Sequence, residues 1–442
     1  MKNKTKITIA LSAMLVVTIL TVVAIILNQN SSTGKVSAVS STSVSSNAAS
    51  GTTEQSNSTV PADSTTASAD SITEPTPSSV EEQKPQVTNG LQLSPSIENV
   101  KIKAVYLTGP SAGSSARVDN IIDLAKKTEL NAVVVDIKEE GAVNYASGIQ
   151  LVQKYGKQVK YYNPENLVKK FHDNGVYVIG RIVTFKDPVL SKSRADLAIK
   201  NSTGGLWLEN GKTPWTNPYN EEVWDYNIAI AKEAISKGFD EIQFDYVRFP
   251  TGKKTDFNFG SNVPAKADAI NGFLAKAEKE LHTGAGVPVS ADVFAIIVES
   301  KGDGETIGQR ITEVGKDIYC INPMIYPSHY ANAAPKGVMA NGVGQKINGV
   351  NFTKPDLEPY NVMYNALLST KIKIGEVTGY KAKVRPYLQA FTAKYLPQGY
   401  YQNYGAQQVK QQIKAVYDAG FEEWILWDPS NKYQEAYFNP EK

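Results

Sequence analysis

The sequence predicts an α/β fold, a closed (β/α)8 barrel of the TIM type, for residues 98–442 of the 442-residue chain. Short apolar runs rich in β-branched residues alternate with segments of helical periodicity throughout this region. Such alternation requires parallel strands that are joined by crossover helices. Eight strands in one domain of this length close into a barrel. An open, doubly wound sheet is the alternative, but "GPSAGSSAR" after the first strand lacks the glycine spacing of a dinucleotide-binding turn.

The N-terminus predicts a membrane anchor. Residues 1–6 form a basic stub with three lysines, and residues 7–27 are an uncharged apolar run. A membrane-spanning helix needs about 20 apolar residues. A cleavable signal peptide has a shorter apolar core and a small-residue cleavage site, whereas this run ends in "IILNQN". We expect an uncleaved single-pass anchor in the cell membrane, with the lysines in the cytoplasm and the remainder extracellular; cleavage after Ser31 or beyond is the alternative.

Residues 28–97 predict a disordered linker. They consist mainly of Ser, Thr, Ala, Pro and Gln, with few aromatic residues. Such a composition cannot bury enough apolar area to offset the entropy lost on ordering. The linker either carries a domain through a cell-wall layer or has no role beyond its length.

The barrel elements follow from apolar runs and their end signals. The predicted strands are "IKAVYLTG", "NAVVVDIKEEG", "VYVIGRIVTF", "EIQFDYVRFP", "VPVSADVFA", "DIYCINPMIYPSHY", "KVRPYLQAF" and "EEWILWDPS". The predicted helices are "ARVDNIIDLAKKTEL", "NPENLVKKFHDNG", "NEEVWDYNIAIAKEAISKG", "AKADAINGFLAKAEKELH", "TIGQRITEVGK", "EPYNVMYNALLSTKIKIG" and "GAQQVKQQIKAVYDAG". Pro164 in the first turn and Gly175 after the last turn bound the second helix, and Gly238 ends the third.

Composition narrows the possible functions. Lys and Arg number 46 against 44 Asp and Glu, without a basic block, so nucleic acid is not an expected partner. Cys320 is the only cysteine, which excludes disulfides within the chain, and it lies in an apolar run that predicts burial. Three scattered histidines give no zinc pattern. We therefore expect no metal in the active site and no cofactor; a structural metal such as calcium and the oligomeric state are left open.

Polar residues near the predicted strand ends indicate an active site, because barrel enzymes place their chemistry at the C-terminal ends of the strands. These residues are Asp136, Arg181, Asp245, Arg248, Asp292, His329, Gln389 and Asp428. A carboxylate that ends an apolar strand costs stability unless another group pairs with it. Asp245, in "EIQFDYVRFP", is such a carboxylate and needs an explanation.

Two of these carboxyl groups suit glycosidic bond cleavage. That reaction needs one carboxyl to donate a proton and a second to attack or to activate water. Asp245 and Asp292 end neighbouring strands, and each disfavours ionisation of the other. Arg181 is the better cationic partner for Asp245, since strand alternation sends Arg248 to the opposite side unless the strand has already ended.

Aromatic residues support a saccharide ligand, because flat side chains at a cleft rim can stack on sugar faces. The loop "STGGLWLENGKTPWTNPYN" is expected to expose Trp207 and Trp215. Tyr246, Tyr326 and Trp427 follow or end strands four, six and eight.

Several of these residues also have a purely structural interpretation. Asp245 could pair with an arginine only to stabilise the barrel, and Asp136 could be a partner for Lys138 instead of a substrate ligand. Asp428 in "LWDPS" could cap a turn through its side chain.

Residues from about 103 to 430 resemble the domain family DUF4015, a family of glycoside-hydrolase-like barrels. The resemblance rests on "KAVYLTG", "NAVVVDIKEEG", "WTNPYNEEVWDYNIAIAKEAISKGFDEIQFDYVRFP", "SADVFA" and "WILWDPS". By likeness to the α-amylase type of barrel, it implies Asp245 as nucleophile and Asp292 as acid/base. The α-amylase type has glutamate on strand five, where this chain has Asp292. It also has a carboxylate on strand seven, where this chain has Gln389, so Asp428 is a candidate for the third carboxyl group. A competing clan uses acids on strands four and seven, but "RPYLQAF" contains none.

The function expected from the sequence is a membrane-anchored, extracellular glycoside hydrolase with a retaining mechanism. Its substrate is expected to be a cell-surface polysaccharide or exopolysaccharide. A non-catalytic carbohydrate-binding barrel is the alternative, and a deacetylase or a lyase is a further one.

Overall fold

The structure, a computed structural model, describes residues 100–439, and eight parallel strands within that range close into a barrel. The barrel strands are β1 (Lys103–Leu107), β2 (Ala132–Glu139), β3 (Tyr177–Val183), β4 (Glu241–Asp245), β5 (Val289–Phe294), β6 (Cys320–Ile325), β7 (Tyr387–Gln389) and β8 (Trp424–Trp427). Each strand pairs with its neighbours in chain order. Strand β1 also pairs with β8, which closes the ring. The predicted (β/α)8 barrel is therefore confirmed.

Seven helices connect consecutive barrel strands. They are α1 (Ser115–Lys127), α2 (Pro164–His172), α3 (Glu221–Ser236), α4 (Lys266–Ala277), α5 (Lys301–Ile307), α6 (Pro359–Gly375) and α7 (Ala406–Asp418). Shorter helical segments are Gly109–Ala112, Gln150–Tyr155, Pro188–Ser193, Ala195–Leu197, Lys254–Asp256, Glu278–Thr283, Ile296–Glu299, Pro327–His329, Pro355–Leu357 and Glu435–Tyr437. Minor strands are Ala142–Val143, Lys157–Gln158, Leu208–Glu209, Thr213–Pro214, Gln345–Ile347, Val350–Phe352 and Lys383–Val384.

The fifth helix lies earlier in the chain than "TIGQRITEVGK", so that boundary prediction is wrong. The Ser300 hydroxyl accepts a hydrogen bond from the Asp303 amide at 3.3 Å and caps the start of α5. Gly308 ends the helix in the left-handed conformation, with φ of 77°. The apolar spacing beyond Gly308 therefore belongs to turns, not to a helix.

Alternation along the strands separates two layers of core. In β1, Val105 and Leu107 pack in the large layer between the sheet and the helices. Ala104 and Tyr106, the alternate residues, belong to a smaller cluster that fills the barrel interior. This division fixes which side chains can reach the mouth of the barrel.

A buried ion network closes the end of the barrel opposite the strand C-termini. The Arg385 guanidinium, just before β7, lies 2.8 Å from a carboxylate oxygen of Glu241 and 2.8 Å from one of Glu423. Glu241 is the first residue of β4 and also accepts a hydrogen bond from Ser290 at 2.5 Å. In barrel enzymes this face serves stability, and the opposite face carries the chemistry.

The predicted basic stub, membrane anchor and most of the predicted linker lie outside the described residues. Within residues 100–439, no helix combines the length and apolarity that crossing a membrane requires. Cys320, in β6, is buried as expected.

Candidate active site

The C-terminal ends of β3 to β8 surround a cavity at the mouth of the barrel. Its lining residues are Arg181, Asp245, Tyr246, Arg248, Asp292, Phe294, Met324, Tyr326, Tyr387 and Trp427. Seven of these are site residues that the sequence predicts. A concave site with a few converging polar groups among aromatic side chains is typical of a ligand site.

Asp245 ends its strand because the next residue turns the chain. Tyr246 has φ of 50°, in the left-handed region, and its amide donates a hydrogen bond to Asp245 Oδ1 at 2.6 Å. Strand β4 therefore stops at Asp245, and the strict alternation of side chains stops with it. As a result Arg248, three residues later, lines the same cavity as Asp245.

Arg181 holds two carboxylates at the base of the cavity. Its Nη2 and Nε donate hydrogen bonds to Asp245 Oδ2 at 2.5 and 3.1 Å, and its Nη1 donates to Asp136 Oδ1 at 2.5 Å. The Tyr106 hydroxyl donates to the other oxygen of Asp136 at 2.6 Å. A carboxylate at the end of the apolar strand β4 is therefore stabilised, because the charge of Asp245 is paired directly with Arg181.

The possible pairing of Asp136 with Lys138 is not the one that forms. The register of β2 against β3 shifts between these two residues. Asp136 turns to Arg181, whereas the Lys138 ammonium lies 2.9 Å from Asp187. Asp136 is fully buried behind Arg181 and does not line the cavity.

Asp292 lies beside this network in a different environment. Its Oδ1 accepts a hydrogen bond from the Asn322 side chain at 3.0 Å, and its Oδ2 lies 3.9 Å from Arg181 Nε. No hydrogen bond to Oδ2 forms within the described part of the chain. Burial, and then the charge of Asp245, raise the pKa of the Asp292 carboxyl well above its usual range.

One arginine nitrogen limits the separation of the two candidate catalytic carboxyls. Arg181 Nε is 3.1 Å from Asp245 Oδ2 and 3.9 Å from Asp292 Oδ2, so these oxygens are at most 7.0 Å apart. Carboxyl separations are about 5–5.5 Å in retaining glycosidases and about 6.5–9.5 Å in inverting ones. The upper bound of 7.0 Å therefore allows every separation that is typical of retaining enzymes, but only the shortest separations that are typical of inverting enzymes.

Aromatic rings form part of the cavity wall. The ring of Tyr326 lies 5.7 Å from that of Trp427, and Trp427 lies 6.2 Å from Tyr106. The Tyr387 hydroxyl donates to Gln243 at 2.6 Å. Burial raises the pKa of the Tyr326 and Tyr387 hydroxyls well above 10, so both act as neutral groups. Such rings offer both flat apolar faces and polar edges to a sugar.

The expectation that a loop exposes Trp207 and Trp215 is wrong. Trp215 is fully buried, with its ring 5.7 Å from that of Tyr246, and Trp207 is 9% exposed and packs on Phe257. The loop folds back on the barrel, since the Ile199 amide bonds to the Trp215 carbonyl. Trp215 thus supports the cavity wall from behind, and neither indole lines the cavity.

Three further predicted substrate ligands lie outside the cavity lining. Gln389 is fully buried, and its side chain bonds to Asp356, to the Phe391 carbonyl and to the Ser328 amide. All its polar atoms therefore have protein partners. His329 packs edge-on against Tyr326 at 4.9 Å, and burial lowers its pKa to about 3.

Asp428 is the third of these residues, and it caps a turn. Its carboxylate accepts hydrogen bonds from the Ser430 amide and hydroxyl at 3.0 and 2.6 Å and from the Lys432 amide at 2.9 Å. This is the turn-capping interpretation of "LWDPS". A third catalytic carboxyl at Asp428 finds no support in this placement.

Sequence reasoning missed five residues of the site: Tyr106, Asn322, Phe294, Met324 and Tyr387. Two of them carried a signal. Asn322 is a polar residue inside an apolar strand, and Tyr387 shares a strand face with Gln389 by the two-residue period. Phe294 and Met324 look like ordinary core residues in the sequence. Among residues 100–439, no three His, Cys, Asp or Glu side chains are grouped as metal ligands.

Comparison with known proteins places the chain in a family. The model of DUF4015, described as "Putative glycosyl hydrolase domain", matches residues 104–433. A hypothetical protein from Ruminiclostridium thermocellum ATCC 27405 is 48% identical over 43% of this chain and 97% of that chain, with a TM-score of 0.40. A search of curated proteins finds no match.

Two solved glycosidase structures share the fold at low identity. The PgaB (BpsB) glycoside hydrolase domain from Bordetella bronchiseptica has a TM-score of 0.53 and 11% identity over 78% of this chain and 100% of that chain. The β-galactosidase from the psychrophilic Marinomonas ef1 has a TM-score of 0.50 and 9% identity over 76% of this chain and 58% of that chain. Since the family model spans well over half of the sequence, and the barrel and its acidic mouth agree with that model's description, the chain belongs to the DUF4015 family.

Proposed function

We propose that this protein is a membrane-anchored, extracellular glycoside hydrolase that cleaves a cell-surface polysaccharide or exopolysaccharide with retention of configuration. One observation carries the proposal: Asp245 and Asp292 line the same cavity, with carboxylate oxygens at most 7.0 Å apart beside a shared arginine. The family assignment and the aromatic wall support a saccharide substrate.

The two carboxyls have environments that suit different roles. Asp245 accepts three hydrogen bonds, two of them from the Arg181 guanidinium, whose positive charge lies directly beside a carboxylate nucleophile. A carboxylate has about four acceptor sites, so one stays available for attack. Asp292 is buried and its pKa is raised, which favours the protonated form that a general acid needs.

The reaction follows from these roles. Asp292 donates its proton to the glycosidic oxygen, the bond from that oxygen to the anomeric carbon breaks, and an Asp245 oxygen bonds to that carbon. Asp292, now ionised, then takes a proton from water, whose oxygen displaces Asp245 and restores both groups. Asp136 and Tyr106 do not touch the substrate in this scheme; they position Arg181.

The sequence before the barrel supports its attachment to the outer face of the cell membrane. The apolar run over residues 7–27 is long enough for a bilayer, and the lysines before it favour a cytoplasmic N-terminus. The Ser/Thr-rich residues 28–97 then give the barrel reach from the membrane surface.

The test is hydrolysis by the purified full chain of a panel of cell-wall and biofilm polysaccharides. Release of reducing ends is compared with that of Asp245→Asn and Asp292→Asn, and Asp123→Asn on exposed α1 serves as the matched control. We expect at least ~10³-fold loss in both site variants and none in the control, because each carboxyl takes part in bond making or breaking.

The stereochemistry of the first product is followed by proton NMR. Release of the β-anomer from an α-linkage, or the reverse, would contradict the nucleophilic role of Asp245. Binding of a polysaccharide without any release of reducing ends would instead favour a non-catalytic carbohydrate-binding barrel.

A further inference from the structure

One buried cation in the cavity wall has no acidic partner. Five Lys and Arg side chains are buried among residues 100–439. Four of them form ion pairs: Lys138 with Asp187, Arg181 with Asp136 and Asp245, Lys186 with Glu209, and Arg385 with Glu241 and Glu423. Arg248 is the fifth, at 3% exposure, and no carboxylate of the described chain lies within ion-pair distance of it.

Three aromatic rings lie around the Arg248 guanidinium. Its guanidinium lies 4.6 Å from the ring centre of Phe294, 4.9 Å from that of Trp215 and 5.1 Å from that of Tyr246. Ring faces attract a cation, but they supply no oxygen to accept its N–H groups. Burying a charge without hydrogen-bonding partners costs stability, so this arrangement needs a reason.

One edge of the guanidinium is left open by the protein. Nη1 donates to the Phe249 carbonyl at 2.9 Å, and this is the only hydrogen bond of the side chain within the described residues. The edge formed by Nε and Nη2 therefore has no protein acceptor, although Arg248 lines the cavity beside Asp245 and Phe294. That edge carries two parallel N–H groups, the geometry that pairs with both oxygens of a carboxylate.

The neighbouring arginine makes the contrast clear. Arg181 is occupied by Asp136 and Asp245 and offers no free cation to a ligand. Lys186 contacts the same Tyr246 and Trp215 rings as Arg248, yet it lies 2.9 Å from a Glu209 oxygen. Of the two cations that contact these rings, Lys186 has a carboxylate partner, whereas Arg248, which lines the cavity, has none within the described residues.

We propose that Arg248 binds a carboxylate of the substrate, so that the polysaccharide carries acidic sugars and one of them sits beside the bond that is cleaved. The proposal rests on the proposed function for the position of that bond. Uronic acids and sugars with a lactyl ether carboxylate share the required group. A neutral sugar can accept hydrogen bonds at this edge through its hydroxyl oxygens, but it brings no negative charge to offset that of Arg248.

The experiment compares matched sugars on the purified full chain. Binding of glucuronate, galacturonate and N-acetylmuramate is measured by ligand-observed NMR against glucose, galactose and N-acetylglucosamine, with glucosamine as the cationic probe and glucose 6-sulfate as the non-carboxylate anion. We expect at least one carboxylate sugar to bind ~10-fold or more tightly than its neutral counterpart. Arg248→Gln is expected to abolish that preference, since a hydrogen bond to a charged group contributes ~10- to 100-fold in affinity.

Two further variants keep the test decisive. Arg310→Gln, on a surface arginine that pairs with Glu305 and Glu313, should keep the full preference. Arg248→Lys keeps the charge but not the planar fork, and should keep a reduced preference; it replaces Arg248→Gln if circular dichroism shows that the latter does not fold. Equal binding of acidic and neutral sugars by the unaltered protein, or an undiminished preference in Arg248→Gln, overturns the proposal, as does tighter binding of glucose 6-sulfate than of every carboxylate.

Failure of this inference is separable from failure of the proposed function. Hydrolysis of a neutral polysaccharide that depends on Asp245, with no preference due to Arg248, would overturn the carboxylate subsite alone. Binding of acidic sugars through Arg248 without hydrolysis of any polysaccharide would keep the subsite and overturn the hydrolase.

Discussion

Replacing Arg181 with methionine should unfold the barrel at a lower temperature. The substitution keeps an unbranched side chain and removes three hydrogen bonds to two buried carboxylates. Breaking a buried ion pair by removing one partner costs about 3–5 kcal/mol, because the remaining charge stays buried without compensation. With an unfolding entropy of ~2.1 cal/mol/K per residue, a domain of this length should lose roughly 4–7 °C in Tm.

The assay is thermal unfolding followed by circular dichroism at pH 8. Arg181→Met with Asp136→Asn removes one of the two opposing charges and should recover part of the lost stability. Arg194→Met is the control, since Arg194 pairs with Asp196 and Glu222 at the surface and should change Tm little.

The result that refutes this reasoning is specific. If Arg181→Met melts within about 1 °C of the unaltered protein at pH 8, the three hydrogen bonds do not compensate buried charge. If Arg181→Met with Asp136→Asn recovers none of the lost stability, the loss comes from packing and not from the carboxylates. Either result would also remove the physical basis for Arg181 as the counter-charge of Asp245.

Three other predictions concern single residues. Because the folded-state pKa of Asp292 is raised, stability due to this group is lost as pH rises through that pKa; Asp292→Asn should therefore be the more stable protein at alkaline pH in urea titrations, and equal stability at every pH would contradict it. Burial raises the pKa of Asp356 to about 6, so the unaltered protein should lose stability between about pH 4 and 6, and Asp356→Asn should not show that loss; a matching loss in the variant would exclude Asp356 as its source. Trp215→Ala should cost about 3–5 kcal/mol in urea denaturation, as expected for a fully buried indole, and a cost below about 1 kcal/mol would restore the surface position that its loop composition suggested.

The fold could be predicted because each barrel strand is buried on both faces. Strands such as β2 and β3 then read as continuous apolar runs, which few other elements produce. The fifth helix was misplaced because two short helical patterns lie next to each other in the sequence. Only the capping by Ser300 and the turn at Gly308 decide between them, and these are local contacts that periodicity does not record.

The site was predictable where chemistry alone marks a residue, and not where packing decides. Acids and arginines at strand ends are unusual enough to be noticed, and seven predicted residues do line the cavity. Loop tryptophans gave the opposite outcome, since glycines and polar neighbours suggested exposure whereas the loop folds onto the barrel. Gln389 and Asp428 show the same limit, because a sequence does not reveal that local partners already satisfy a polar side chain.

The turn at Tyr246 connects the catalytic and the binding proposals. A strand that continued past Asp245 would send Arg248 away from the cavity, and a glycine at position 246 would take the left-handed turn more easily than tyrosine. Tyrosine is nevertheless present, and its ring contacts both Arg248 and Trp215. The same residue therefore ends the strand at the nucleophile candidate and packs against the arginine beside it. Tyr246→Gly should preserve the turn and release the arginine, so its acidic-sugar preference should fall while the Asp245 to Arg181 pairing is retained. An undiminished acidic-sugar preference in Tyr246→Gly would show that the ring does not hold Arg248 in the cavity wall.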